Sequence, residues 1–102
     1  MLHPKYVRFF TTLSNRTRLE IVFALRKKTM NVSEITRTLG YDQSTISNNL
    51  RVLKHCGFVE MKQNGKERIY SINKQSIEKM LKIIDWHTDK YCRHLVEGHE
   101  HE

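Results

Sequence analysis

Little in this sequence suggests a secreted, disulfide-bonded or membrane-spanning protein. Its 102 residues include only two cysteines, one proline and four glycines. Cys56 and Cys92 are too few and too far apart for a secreted disulfide scaffold or a zinc finger. No apolar run approaches the ~20 residues that span a bilayer, and the N-terminus lacks the apolar stretch of a signal peptide. We therefore expect a cytoplasmic protein with no membrane partner.

Acidic residues are also scarce relative to basic ones. Lysine and arginine number 18 against 11 aspartate and glutamate, which gives a formal net charge of +7. This excess favours an anionic partner, and nucleic acid is the first one to consider. The sequence contains no nucleophile–base motif, no glycine-rich phosphate loop and no HExxH pattern, so we expect that the protein is not an enzyme.

Helical spacing and capping residues predict two helices in the first third of the chain. Pro4 suits the first turn of a helix, where its missing N–H costs nothing, and apolar residues follow at helical spacing as far as Leu13. Ser14 or Asn15 then suits the N-cap of a second helix that runs to about Lys28.

The outline of a helix-turn-helix follows. Asn31 with Glu34 three residues later predicts the start of a short third helix, and Gly40 predicts its end in a left-handed conformation. Asp42 suits the N-cap of a fourth helix, which Gly57 ends. Two helices joined by a short turn that contains glycine are typical of a helix-turn-helix.

A β-hairpin and a last helix complete the predicted fold. Residues 58–72 alternate apolar and polar side chains around Asn64-Gly65, a strong turn signal because both residues tolerate positive φ. Asn73 suits the N-cap of a last helix over residues 74–96. The order of elements predicts a mainly α fold with a small β-hairpin, which is a winged helix-turn-helix.

The polar face of the fourth helix is the candidate DNA-binding surface. Opposite its apolar stripe lie short hydrogen-bonding side chains and then cations, with no acidic residue after Asp42. Gln and Asn can bond bidentately to adenine in the major groove, whereas the cations of this helix and of the hairpin tip suit phosphates. An ordinary solvated surface is the alternative interpretation. The candidate DNA-binding residues are Gln43, Ser44, Thr45, Ser47, Asn48, Arg51, Lys54, Lys62, Lys66 and Arg68.

Several segments together resemble those of one known family. Leu13–Ile21 and Asp42–Leu53 are similar to the second-helix signature and the recognition helix of the ArsR/SmtB family of bacterial and archaeal repressors. Cys56–Val59 and Gly65–Ile72 resemble the start of its wing and the second strand. The resemblance covers roughly residues 5–96. It implies a homodimeric winged-helix repressor of a double-stranded DNA operator, expected to be an inverted repeat, that a metal ion or another effector releases.

The sequence departs from the family pattern in three places. Arg16 stands where proline is common, and Asn48 stands where many members have histidine, so the operator sequence stays open. Asn31 and Ser33 stand where the soft-metal sensors have a Cys-x-Cys pair. Because neither side chain supplies a thiolate, we expect no soft-metal site on the third helix.

The last predicted helix is long enough to project from the domain. Residues 74–96 span about 34 Å at ~1.5 Å per residue, against a domain diameter of about 26 Å. Its apolar residues recur at a spacing of four and three, which favours packing on another helix, with packing on its own domain as the alternative. We expect one domain over 1–97, a homodimer formed by helices at about 1–13 and 74–96, and a flexible His/Glu-rich tail over 98–102. The candidate interface residues are Tyr6, Phe9, Phe10, Ile77, Leu81, Ile84, Thr88, Tyr91 and Leu95.

The resemblance also implies a metal site on this last helix. Family members that sense zinc here use an Asp-x-His pair from one protomer and a His-x-x-His or His-x-x-Glu pair from the other. Asp85 with His87, and His94 with Glu97, match both halves, although six residues separate the two histidines where the family usually has ten. These four ligands suit tetrahedral zinc or a related divalent transition metal.

Three other interpretations stay open. The histidines and carboxylates of the last helix can be ordinary solvated groups with no ion bound. Cys92, together with His94 and the tail residues His99 and His101, is a rival ligand set or a redox-sensitive thiol. A winged helix with a basic wing can also bind DNA with no effector, as an architectural protein.

Overall fold

Six helices and one hairpin make up the part of the chain that the computed structural model describes, residues 1–97. In chain order these are α1 (Pro4–Leu13), α2 (Arg16–Lys27), α3 (Val32–Leu39), α4 (Gln43–His55), β1 (Val59–Asn64), β2 (Glu67–Ile72), α5 (Ile77–Tyr91) and α6 (Arg93–Val96). None of the helices within this range is long and apolar enough to cross a membrane. The predicted mainly α fold with one hairpin is confirmed.

The capping residues read from the sequence fix the helix ends. The side chain of Asn15 caps α2. Asn31 and Glu34 form a reciprocal capping box at α3, with hydrogen bonds of 2.8 and 2.9 Å. Gly40 ends α3 with φ +84°, a left-handed conformation that glycine adopts without strain, and Asp42 caps α4. These short-range hydrogen bonds place α3 and α4 on either side of a tight turn.

The hairpin turn is shifted by one residue from the expected pair. Asn64 lies opposite Glu67 in the ladder, so the central residues of the turn are Gly65 and Lys66. Gly65 has φ +64°, and no residue other than glycine has a positive φ between positions 1 and 97. Glycine with positive φ at the first central position alone is the pattern of a type II′ turn, whereas Asn64-Gly65 would have formed type I′.

The hairpin is attached to the start of α3. The backbone N–H of Met30 donates to the carbonyl of Tyr70 at 3.1 Å, and the N–H of Tyr70 donates to the carbonyl of Met30 at 2.8 Å. Both side chains are buried. The amide of Asn31 also donates to the carboxylate of Glu67 at 3.3 Å.

One apolar core lies between α2, α3, α4, the hairpin and the first half of α5. Its fully buried members are Ile21, Val22, Ile35, Ile46, Leu50, Leu53 and Ile77. Helix α1 joins this core through Phe9, whose ring meets that of Phe58 edge-on at 5.1 Å between centroids. The apolar stripe of α4 is therefore held in this core through Ile46, Leu50 and Leu53.

The last helix differs from the prediction at both ends. Asn73 accepts a hydrogen bond from the backbone of Gln75 in a turn, and α5 begins only at Ile77. At the other end Cys92 has φ −125° and ψ 46°, which separates α5 from the single turn of α6. The hydroxyl of Thr88 bonds back to carbonyls of the preceding turn, a competition that weakens helices. The continuous helix expected over 74–96 is therefore wrong, and α5 is about 22 Å long.

Candidate DNA-binding surface and ion site

Helix α4 presents most of the predicted DNA-binding side chains to the exterior. Ile46, Leu50 and Leu53 are fully buried, so the opposite face of the helix points to the exterior. The exposed residues of that face are Gln43, Ser44, Ser47, Asn48, Arg51 and Lys54. Side chains on this outward face can enter a major groove of DNA, because nothing in the described part of the chain covers them.

Thr45 is the exception among the predicted residues, because it is half-buried and belongs to the helix cap. Its backbone N–H donates to the carboxylate of Asp42 at 3.1 Å. Hydrogen bonds from the side chain and then the backbone of Thr45 hold the pKa of Asp42 below its ordinary value. The Asp42 carboxylate thus caps the N-terminus of α4, and its negative charge lies at the positive end of the helix dipole.

A half-buried polar link behind α4 was not predicted from the sequence. The guanidinium of Arg18 on α2 donates to the side-chain oxygen of Asn49 at 3.0 Å and to the carbonyl of Thr12 at 2.7 Å. The Asn49 amide donates in turn to the carbonyl of Thr45 at 2.9 Å. Arg18 therefore connects the end of α1 to the recognition helix. Asn48 and Asn49 look alike in sequence, and only their position relative to the apolar stripe separates them.

The hairpin tip carries the predicted cations in exposed positions. Lys62, Lys66 and Arg68 are all exposed. The one acidic residue of the tip, Glu67, is held by Asn31 at the start of α3. The amide of Gln63 donates to the carbonyl of Gly65 at 3.0 Å across the turn. The tip therefore offers positive charge to an approaching polyanion.

Exposed apolar side chains cluster on α1 and on α5 with α6. On α1 they are Tyr6, Val7 and Phe10, with Leu2 just before the helix. On α5 and α6 they are Ile83, Ile84, Trp86, Tyr91 and Leu95. Trp86 and Tyr91 meet edge-on at 5.8 Å between ring centroids. An apolar surface of this kind on a small domain indicates a binding face.

Two of the predicted interface residues are instead part of the chain's own core, and a third packs against it. Ile77 is fully buried and Leu81 is 4% exposed, so neither has surface to offer a second chain. Phe9 packs on Phe58. The spacing correctly grouped Ile77 and Leu81 on one helix face, but the first half of that face packs against the domain itself. Ile83 and Trp86 were missed because they lie outside the four-and-three spacing.

The candidate metal ligands are not brought together within one chain. Among residues 1–97, no three His, Cys, Asp or Glu side chains lie together as they would around a metal ion. Asp85 and His87 lie on α5, where the His87 ring packs on Tyr91 at 5.1 Å. His94 and Glu97 lie beyond the break at Cys92. The two predicted halves of the site are therefore separate in the protomer.

Asp85 already has a cationic partner. A terminal nitrogen of Arg26 lies 3.0 Å from a carboxylate oxygen of Asp85, and the Nε of Arg26 lies 3.0 Å from Glu78. Partial burial lowers the pKa of Arg26, but its hydrogen bonds to Asp85 and Glu78 leave that pKa above the ordinary value. Asp85 is thus engaged with α2.

The two cysteines lie apart from each other. Cys56 is exposed at the C-cap of α4, and Cys92 is half-buried at the break between α5 and α6; both are free thiols. The predicted tail over 98–102, with His99 and His101, lies outside the described residues.

Comparison with known proteins identifies the family. The family model for bacterial regulatory proteins of the arsR family matches residues 15–61. The HTH-type transcriptional regulator NmtR of Mycobacterium tuberculosis is 28% identical over 87 residues, which covers 85% of this chain and 72% of that protein. The HTH-type transcriptional regulator Rv0081 of the same organism is 30% identical over 83 residues, covering 80% of this chain and 73% of that protein.

Solved structures agree with this assignment. The crystal structure of Rv0081 superposes with a TM-score of 0.81 at 27% identity and covers 93% of this chain and 99% of that one. The homodimeric winged helix-turn-helix DNA-binding domain of Mb0332 from Mycobacterium bovis, a possible ArsR-family transcriptional regulator, has a TM-score of 0.76 at 27% identity and covers 95% and 86%. Together with the exposed polar face of α4 and the basic hairpin, these matches show that the chain is no enzyme and belongs to the ArsR family of winged helix-turn-helix, DNA-binding transcriptional regulators.

Proposed function

We propose that this chain is a cytoplasmic, homodimeric transcriptional repressor. It binds an operator in double-stranded DNA that is an inverted repeat. The observation that carries the proposal is the composition of α4. Its buried stripe is wholly apolar, while its outward face from Gln43 to His55 holds hydrogen-bonding and cationic side chains and no carboxylate. A solvated helix face usually mixes charges of both signs.

In this proposal some side chains of α4 contact bases and others contact phosphates. Gln43 and Asn48 contact base edges, since an amide can bond bidentately to adenine. Ser44 and Ser47 offer hydroxyl groups on shorter side chains, whereas Thr45 stays with the helix cap. The cations Arg51 and Lys54, one to three turns further along the helix, contact phosphates, as do Lys62, Lys66 and Arg68 of the hairpin.

The exposed apolar side chains supply the dimer interface of the proposal. Five apolar side chains are exposed in the single chain: Tyr6 and Phe10 on α1, and Ile84, Tyr91 and Leu95 on α5 and α6. Together they form the proposed interface surface. A second copy covers this surface most simply, and the similar domain of Mb0332 is described as homodimeric. Two α4 helices related by a two-fold axis would then face half-sites one helical turn apart.

An ion site between the subunits is the proposed control. Asp85 and His87 of one protomer would hold the ion together with the partner's His94 and the partner's Glu97. The chemistry of this donor set, two imidazoles and two carboxylates, fits tetrahedral zinc or a related divalent transition metal. Because the two pairs of ligands lie apart within one chain, a complete site would need one pair from each protomer. Operator affinity is expected to fall when the ion is bound, through a changed angle between the two subunits.

The DNA part is tested by measuring binding to the natural promoter fragment and to random DNA of equal length. Gln43→Ala should lower operator affinity by about 1–3 kcal/mol and leave random DNA almost unaffected. Gln75→Ala, which changes an exposed glutamine outside α4 and the hairpin, is the matched control. Equal losses on both DNAs would show that Gln43 does not read bases.

The ion part is tested with mixed dimers followed by zinc titration. A heterodimer that carries His87→Ala and His94→Ala on the same chain spoils both bridging sites. A heterodimer with one change on each chain keeps one intact site. Zinc binding should therefore survive only in the second heterodimer. Equal zinc affinity in the two would refute a bridging site. An effect of thiol oxidation on DNA binding that Cys92→Ser removes would then favour Cys92 as the sensor.

A further inference from the structure

Arg26 is the most highly connected charged side chain between α2 and α5. Its guanidinium bonds to Glu78 and Asp85, two turns apart on α5, each at 3.0 Å. The same group lies 5.8 Å from the centroid of the Phe23 ring. The side chains of Arg26 and Glu78 are 23% and 20% exposed, so this pair is partly shielded from water, whereas Asp85 is 54% exposed.

The planar fork of arginine explains how one residue reaches two carboxylates. Its nitrogens point in different directions, and here Nε contacts Glu78 while a terminal nitrogen contacts Asp85. Lysine would offer a single point charge on a flexible stem. Because Arg26 lies in the last turn of α2, the two contacts attach the first turn and the middle of α5 to α2. Helix α2 also holds Asn49 of α4 through Arg18.

We propose that Arg26 is the resident cation of Asp85, and that any divalent ion bound there has to displace it. Asp85 is one of the two anionic ligands in the proposed ion site, and one of its oxygens is already paired with the guanidinium. A divalent ion on the same carboxylate would lie close to the guanidinium, and the two positive charges would repel each other. The competition between Arg26 and an ion for Asp85 rests on the proposed function. The attachment of α5 to α2 by Arg26 does not.

Displacement has a defined structural consequence. Arg26 would keep its contact with the less exposed Glu78 and lose the one with Asp85, so that the second half of α5 is released from α2. That half carries Ile84 and Tyr91 of the exposed apolar surface. Ion binding would thereby act on the proposed subunit interface and on α2 together.

The attachment is tested without any ion, by hydrogen exchange on the full chain in the presence of a chelator. Arg26→Met and Asp85→Asn should each speed exchange over residues 82–91 by about two- to fivefold, the range expected for a partly exposed ion pair. Exchange in α3 and α4 should not change. The matched control is Arg16→Met, which removes an exposed arginine of the same helix. Unchanged exchange over 82–91 in both variants would overturn the attachment.

The competition is tested by titration with cobalt(II), whose absorption reports its ligands, in the absence of DNA. Arg26→Met should bind cobalt about two- to tenfold more tightly than the natural chain, because the competing cation is gone. Adding His87→Ala should abolish this gain, which separates the bridging site from a new site at the freed Glu78. Equal affinity with and without Arg26 would overturn the competition.

The hydrogen-exchange and cobalt experiments together distinguish a failure of this inference from a failure of the proposed function. If neither the natural chain nor Arg26→Met binds cobalt, the proposed ion control is wrong and so is the competition. Hydrogen exchange then still decides whether Arg26 attaches α5 to α2. If cobalt binds equally to both chains, the ion control stands and Arg26 has no part in it.

Discussion

Two adjacent asparagines on α4 are expected to have different roles, because only Asn48 lies on the exposed face of the helix. Asn49 is half-buried and receives a hydrogen bond from the Arg18 guanidinium while donating to the carbonyl of Thr45. The first bond is charge-assisted and contributes about 1.5–3 kcal/mol, and the second about 0.5–1.5 kcal/mol. Alanine recovers about 0.5 kcal/mol through its higher helix propensity. Because water can replace part of these contacts at a half-buried site, Asn49→Ala should destabilise the fold by about 2 kcal/mol.

Asn48 is the matched control, since its side chain is exposed on the outward face of the same helix turn. Asn48→Ala should leave the free energy of unfolding almost unchanged and weaken operator binding by about 1–3 kcal/mol. For a domain of this size, Asn49→Ala should lower Tm by about 8–16 °C. Thermal unfolding of the three proteins at one concentration, together with operator titrations, measures both effects. The reasoning is refuted if Asn49→Ala is as stable as the natural chain, or if Asn48→Ala is the less stable of the two.

Three further predictions concern the hairpin, the dimer and the cap of α4. Lys66→Ala should weaken binding to operator and random DNA alike and flatten the logarithmic salt dependence by about one unit, measured by titration at several salt concentrations. Phe10→Glu should raise the dimer dissociation constant by at least about tenfold in sedimentation experiments, because it places a charge in the apolar surface of α1; an unchanged dimer would exclude α1 from the interface. The pKa of Asp42 is lowered in the folded chain, so its charge stabilises the fold above the ordinary carboxyl pKa and this contribution is lost as the pH falls through the lowered value. The stability difference between the natural chain and Asp42→Asn should thus be constant from pH 7 to 5 and shrink below about pH 4, as unfolding curves would show.

Features set by neighbouring residues could be predicted from the sequence. Asn31 and Glu34 cap α3, and Asp42 caps α4, because each needs only a donor three residues away. Gly40, Gly57 and Gly65 mark the positions where the backbone has a positive φ. Even so, Asn64 was assigned to the centre of the hairpin turn. Strand pairing, which depends on the opposite strand, moved that centre to Gly65 and Lys66.

Features that depend on distant parts of the chain could not be predicted. Apolar spacing showed that Ile77, Leu81 and Ile84 share a side of α5, but not that the domain itself covers the first two. The break at Cys92 has no proline or glycine to signal it. The contact between Arg26 and Asp85 joins residues 59 positions apart, and charge patterns carry no information about such pairs.

The pairing of Met30 with Tyr70 has a consequence for how this protein can respond to any signal. Two backbone hydrogen bonds and the contact between Asn31 and Glu67 fasten the hairpin to the helix that precedes the recognition helix. These contacts tie the position of the hairpin to that of α3, so the spacing between the basic tip and the polar face of α4 is held within one chain. In the proposed complex with DNA, each chain would then keep the same contacts with its half-site. In the proposed dimer, a signal would act on the relative placement of the two chains, where the subunits meet.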